Sequence, residues 1–199
     1  MITTGGRILW ARNPRTGVLD HQFRAAENSE LELASRSLRE NQRRWSQCGL
    51  ETRIDGVKAF AAALGQHRAG LHAALCADTG RSRISALEVD STIAAAAAWC
   101  GIARSVNNQD WTRGRNMPAL RHRARFVPYS LVTVVSPWNF PLLLSMIDAL
   151  PALLAGASVW IKPSETAPRF IEPLRRAVAD APLIRDVLRI MQGLSLIHI

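Results

Sequence analysis

From Leu131 to Ile161 the chain carries a single charge, Asp148, and this apolar stretch constrains the fold more than any other segment. An unbroken run of that length would suit a membrane span. Here Pro137, Asn139, Pro141, Pro151 and Gly156 divide it. An acid and helix breakers without partners are costly in lipid, so the expectation is a buried soluble unit rather than a membrane span. Leu131-Val132-Thr133-Val134-Val135 is rich in β-branched residues, as expected of a strand covered on both faces. Ser136-Pro137-Trp138-Asn139 interrupts it. Pro141 suits the first turn of a helix, where its missing N–H is harmless, and Leu142 to Ala155 is long enough to be that helix, with Gly156 as its stop. Ala157-Ser158-Val159-Trp160-Ile161 reads as a second buried strand closed by Lys162-Pro163. The unit is β-α-β. Its right-handed crossover makes the strands parallel and puts the loops 136–139 and 162–166 on the carboxyl edge, where open α/β sheets bind ligands. A further helix from about Pro168 to Ala179 and a short strand from Val187 to Met191 extend the same sheet.

The first half is mostly helical. Asn13-Pro14-Arg15-Thr16-Gly17 is turn chemistry and starts an arm or hairpin. Leu31, Leu33, Ala34, Leu38 and Trp45 recur near helical spacing between about Ser29 and Trp45. Ile54, Val57, Phe60, Ala61 and Leu64 line a second helix with Gly65 as its stop; a third spans about His67 to Asp78 and ends at Thr79-Gly80. A fourth runs from about Ile84 to Ser105, where Ala94 to Ala98 give high propensity and permit close packing. The expected divisions are an arm (1–28), a helical part (29–106), a basic loop or hairpin (107–130) and the β-α-β units (131–193). Residues 194–199, Leu-Ser-Leu-Ile-His-Ile, continue no earlier pattern and read as translated sequencing-adapter sequence, set aside from fold and site reasoning.

Composition narrows the function classes. Hydrophobic residues at 48% and charged residues at 21% of 199 exclude wholesale disorder. Cys48, Cys76 and Cys100 are too few and too widely spaced for a disulfide framework, no spacing suggests a metal site, and buried small hydrophobes in helices are their expected role. A reducing, cytoplasmic setting follows. The net charge of +9 invites nucleic acid, but 23 of the 25 basic residues are arginine, a bias that genome composition also produces. Arg113, Arg115, Arg121, Arg123 and Arg125 cluster without acids, yet the stretch matches no reading motif and lacks interleaved aromatics for stacking bases. A solvated hairpin or subunit contact is expected there, with no nucleic-acid partner.

Ser136-Pro137-Trp138-Asn139-Phe140-Pro141, followed 21 residues after Pro141 by Lys162-Pro163-Ser164-Glu165, resembles the aldehyde dehydrogenase superfamily. Each motif closes an expected parallel strand. Asn13-Pro14-Arg15-Thr16-Gly17 is similar to the family's N-P-x-T-G, and Asp78-Thr79-Gly80-Arg81 with Glu88-Val89 to its D-T-G-K and E-V, so the resemblance covers about residues 11–193. It implies an α/β fold: an incomplete Rossmann-like cofactor domain with amino-terminal helices packed on a parallel sheet. It also implies NAD(P)-dependent oxidation of an aldehyde to an acid, through a thiohemiacetal and a thioester on a cysteine, by a parent homodimer or homotetramer.

By that resemblance Asn139 is catalytic, its side-chain amide donating to the oxygen that gains charge as sulfur attacks; an N-cap role beside Pro141 can coexist with it. Lys162 and Glu165 correspond to residues contacting the adenosine ribose, and a carboxylate there accepts both ribose hydroxyls while repelling a 2′-phosphate, favouring NAD over NADP. A surface ion pair at the start of the following helix, with Glu165 favouring its dipole, is the structural alternative. Ser136, Pro137 and Trp138 line the cofactor channel, and Pro163 and Ser164 complete the second turn. The family's glycine-bearing pyrophosphate turn, general-base glutamate and nucleophilic cysteine match nothing up to Gly193, so the expectation is an amino-terminal fragment, inactive alone. Apolar faces around Trp160 and Ile190 are expected to lie uncovered in it. The alternative from another class is a non-catalytic nucleotide- or nucleic-acid-binding module.

Overall fold

A computed structural model describes residues 6–106, 111–123 and 126–193. Strands β1 (Ile8–Arg12) and β2 (Leu19–Arg24) form an antiparallel hairpin around the expected Asn13–Gly17 turn. Gly17 takes φ +73°, and Asn13 Oδ1 accepts from the Arg15 amide at 3.0 Å, so both turn residues act as their chemistry requires. Helices α1 (Asn28–Gln47), α2 (Leu50–Gln66), α3 (Arg68–Thr79) and α4 (Ser82–Val106) follow. Gly65 does not stop α2, which runs one residue further; Gly80, at φ +70°, does stop α3. Strands β3 (Thr112–Arg113) and β4 (Arg121–His122) make a short, exposed hairpin.

The parallel unit is then β5 (Leu131–Val135), α5 (Pro141–Ala155), β6 (Ser158–Lys162), α6 (Ile171–Ala179) and β7 (Leu188–Ile190), with strand order β5-β6-β7. Pro141 opens α5 and Gly156, at φ +100°, closes it. Pro151 does not break that helix. It denies a hydrogen bond only to the carbonyl of Ile147, which lies on an exposed position where water can serve instead. Helix α6 starts at Ile171, three residues later than expected, because Pro168 to Phe170 form a turn in which the Ile171 amide donates to Pro168 O at 3.2 Å.

In-register parallel pairing sorts the strands by parity. Val134, Ile161 and Ile190, with Val159 and Leu188, form a buried row continuous with the core of α2, α4, α5 and α6. Ile190 is therefore covered, contrary to expectation. The alternate row, Thr133, Trp160 and Arg189, faces the other way, and α1 lies across part of it with Leu31, Ser35 and Arg39 beside Trp160. Helix α4 is long and apolar enough to cross a membrane by length and composition, but Val89, Thr92, Ala96, Cys100 and Ala103 are buried at helical spacing. Of the five alanines only Ala96 is fully buried.

Candidate active site

Strands β5 and β6 end side by side. Val135 pairs with Lys162, and the Ser136 amide donates to Lys162 O at 3.1 Å, so the 136–140 turn and the 162–166 turn leave the same carboxyl edge as neighbours. This juxtaposition follows from the β-α-β pattern alone. Within the second turn Ser164 Oγ accepts from the Thr166 amide at 3.2 Å, and the half-buried Lys162 curls back to donate to Pro163 O at 3.2 Å and to Glu165 Oε2 at 3.3 Å. Because α6 begins at Ile171, Glu165 stands in a turn rather than in a first helical turn, which removes the dipole role. The ion pair with Lys162 is present.

In the first turn Ser136 is buried, whereas Pro137, Trp138 and Asn139 are exposed. The Ser136 amide is already used by Lys162 O, and its hydroxyl is buried without a partner among the described residues. Asn139 is not the cap of α5. Phe140 occupies that position and has no side chain able to accept a hydrogen bond. Instead Glu88 of α4 inserts its carboxylate: Oε1 accepts from the amides of Leu142 at 2.9 Å and Leu143 at 3.1 Å. Burial pushes the Glu88 carboxyl above its ordinary pKa, against the two amides that favour its charge. Arg81 donates to the Asn139 carbonyl, and its guanidinium carbon lies 4.9 Å from the Phe140 ring centroid, a cation-π distance. Among the described residues the Asn139 side-chain amide has no protein partner, so it is free to face a ligand.

The corner that carries Arg81 is itself fastened. Arg15 donates to Gly80 O from Nε at 3.0 Å and from a terminal nitrogen at 2.8 Å. One residue pair further in, Asp78 is fully buried; it accepts from the Arg169 amide and guanidinium, both at 2.7 Å, and Arg169 also pairs with Asp20 of β2. Desolvation still wins over these partners and pushes the Asp78 carboxyl up to about 6. The sequence motifs at 13–17, 78–81 and 88–89, far apart in the chain, thus meet behind the Asn139 turn. No local signal in the sequence announces that meeting.

A cavity of about 730 Å³ opens on the uncovered row at the same carboxyl edge, lined by Val135, Lys162, Trp160 and Thr133, by Met191 to Gly193, and by the start of α1. Trp160 Nε1 is buried there without an acceptor. Cys48 follows the end of α1 and is half-buried, as is Cys76, which lies 3.2 Å from His72 Nε2; only Cys100 is buried as expected. None of the three lines the cavity. Among the described residues no cluster could hold a metal ion. Arg113, Arg115, Arg121 and Arg123 are exposed on the β3–β4 hairpin, and Arg123 stacks over Trp111 with its guanidinium carbon 5.1 Å from the ring centroid, an aromatic neighbour the sequence reading did not anticipate. Arg125 and the 194–199 segment lie outside the described residues.

Known proteins bear on this geometry. The N-succinylglutamate 5-semialdehyde dehydrogenase of Burkholderia multivorans is 33% identical over 96% of this chain, which spans only 39% of that relative's length. A solved structure of the aldehyde dehydrogenase PutA from Anabaena variabilis superposes with a TM-score of 0.89 at 41% identity, covering 94% of this chain and 40% of that one. For the fold alone, betaine aldehyde dehydrogenase from Staphylococcus aureus, solved with NAD+, gives 0.81 at 24% identity, covering 94% and 38%. The sequence model of the aldehyde dehydrogenase family matches residues 3–196, and the chain therefore belongs to that family.

Proposed function

We propose that this chain supplies the oxyanion donor and the adenosine-ribose contacts of an NAD-dependent aldehyde dehydrogenase. The observation that carries the reading is the adjacency of the two turns: one presents the Asn139 amide and the other the Glu165 carboxylate, joined at the Ser136–Lys162 hydrogen bond. The residues fit the adenosine half of a dinucleotide. Glu165 offers a carboxylate to two vicinal hydroxyls, Lys162 a donor beside it, and the cavity next to them holds the unpartnered Trp160 Nε1 and is bordered by Lys162. Held by Lys162 and Glu165, a nicotinamide dinucleotide would supply the hydride acceptor for the oxidation. The chain's own contribution is electrostatic. As a nucleophile adds to an aldehyde, charge grows on the carbonyl oxygen, and a fixed amide donor lowers the energy of that state more than it lowers that of the neutral aldehyde. Glu165 repels a 2′-phosphate, so NAD is the preferred cofactor. The nucleophilic cysteine and the general base of the reaction correspond to no residue of this chain, and the chain alone is inactive in this reading. A homodimer or homotetramer in the cytoplasm is the matching assembly.

The test joins residues 6–193 to the remaining three-fifths of the Anabaena relative and follows NADH formation. Asn139→Ala is expected to reduce the acylation rate about 10²–10³-fold with little change in NAD affinity. Unchanged turnover would remove Asn139 from the chemistry. Titration of the 199-residue chain with NAD and NADP gives an independent check. Glu165→Gln should weaken NAD and narrow the difference between the two; equal affinities in the parent chain would defeat the cofactor preference.

A further inference from the structure

We propose that Arg81 and Glu88 are positioning residues that aim the Asn139 amide, a role that rests on the donor reading above. A side chain with no protein partner is directed by its backbone alone, and this backbone is held at Asn139 and again at the start of the helix that follows it. On its own carbonyl the hold is the Arg81 guanidinium, which also lies against the next side chain, Phe140. Three and four residues further on, the hold is the Glu88 carboxylate on the amides of Leu142 and Leu143. Glu88 is 1% exposed and Leu142 fully buried, so water does not compete for the bond between them. Phe140 at the cap position cannot do the work locally, which is why an acceptor from α4 is required.

The two anchors are close together in the chain. Arg81 immediately precedes α4 and Glu88 lies within that helix seven residues later, and both reach the segment that opens α5. Their origin is also fixed, since Arg15 grips the Gly80 carbonyl at the left-handed end of α3. Force on the amino-terminal turn is thus transmitted through Gly80 and Arg81 to the Asn139 carbonyl. A displacement of about 1 Å at a reacting group costs on the order of 100-fold in rate, so loosening either anchor is expressed as slower chemistry rather than weaker cofactor binding.

Two measurements decide it. In the 199-residue chain, amide exchange at Leu142 and Leu143 should accelerate at least about tenfold in Glu88→Ala and return close to the parent value in Glu88→Gln, whose carbonyl oxygen can replace Oε1. Unaltered exchange in Glu88→Ala would sink that anchor. In the joined enzyme, Arg81→Ala should slow single-turnover acylation about 10- to 100-fold with NAD affinity unchanged, and should add nothing when Asn139 is already alanine. Arg81 is half-exposed, so the variant keeps its core. Equal losses in both backgrounds, or no loss in either, overturn the positioning role. If Asn139→Ala itself leaves the rate untouched, the donor reading is what fails, and the cycle separates the two.

Discussion

The two ends of α5 are held by opposite means. At its carboxyl end three buried side chains donate to carbonyls in and just beyond the last turn: Trp45 Nε1 to Leu153 O at 2.9 Å, Arg53 Nε to Leu154 O at 2.8 Å and Gln42 Nε2 to Gly156 O at 3.0 Å. At its amino end a single buried carboxylate and one half-exposed arginine hold a turn in which Pro137, Trp138 and Asn139 are exposed. Both ends obey the helix dipole, with an anion at the start and a cation near the finish. At the carboxyl end the carbonyls are thus taken by protein donors, while at the amino end the Asn139 side chain is exposed and its backbone is supported from behind. A crossover helix can serve as a rigid lever only if one end is anchored this firmly.

Substitutions at each end should separate stability from chemistry. The largest effect belongs to the open end: Asn139→Ala in the joined enzyme should raise the acylation barrier by about 3–4 kcal/mol while the thermal midpoint barely moves. A fall in both would erase the distinction. Next, Arg53→Met at the closed end should cost about 2–3 kcal/mol in denaturant unfolding, because the carbonyls of Leu154 and Cys48 lose a charged donor in a buried setting. Turnover per folded molecule should stay the same. Gly156→Ala should cost about 1–2 kcal/mol, since φ of +100° strains any side chain and a Cβ would sit 3.2 Å from Ser46 Cα; a neutral result would mean that α1 yields there.

The smallest effect is a pH dependence behind the open end. Asp78 has its pKa raised to about 6 from 3.8, so the folded state holds the proton more tightly than the unfolded chain. Stability from this group is complete below about pH 4 and is lost as pH rises to about 6. Comparing the parent with Asp78→Asn isolates that slope: the parent's stability relative to the variant should decline between pH 4 and 6. A difference that grows with pH instead would show that Arg169 outweighs burial.

Much of the architecture was legible because it is written in near neighbours. The β-branched runs, Pro141 and Gly156 located β5, α5 and β6 within a residue, and Gly80 located the end of α3. Gly65 misled for the same local reason: a glycine signals only what its own backbone permits, and α2 runs one residue past it. The shared edge of the two turns was legible as well, since handedness follows from the β-α-β order. Trp160 and Ile190 were harder to judge. Strand parity puts them on opposite faces, and only the docking of α6 and the helical layer shows which face is filled.

Chain order and residue type by themselves determined the parallel unit and the shared carboxyl edge from which the turns carrying Asn139, Lys162 and Glu165 leave. Only the tertiary structure decided that Glu88, 54 positions before Leu142, caps the helix that Asn139 cannot cap, and that Arg15 secures a corner 65 positions away. Periodicity and turn chemistry act over a few residues, so they survive in the linear string. Partnerships across such separations come into being when helices pack and water leaves, because a buried amide or carbonyl must then find whichever polar group the fold has brought beside it.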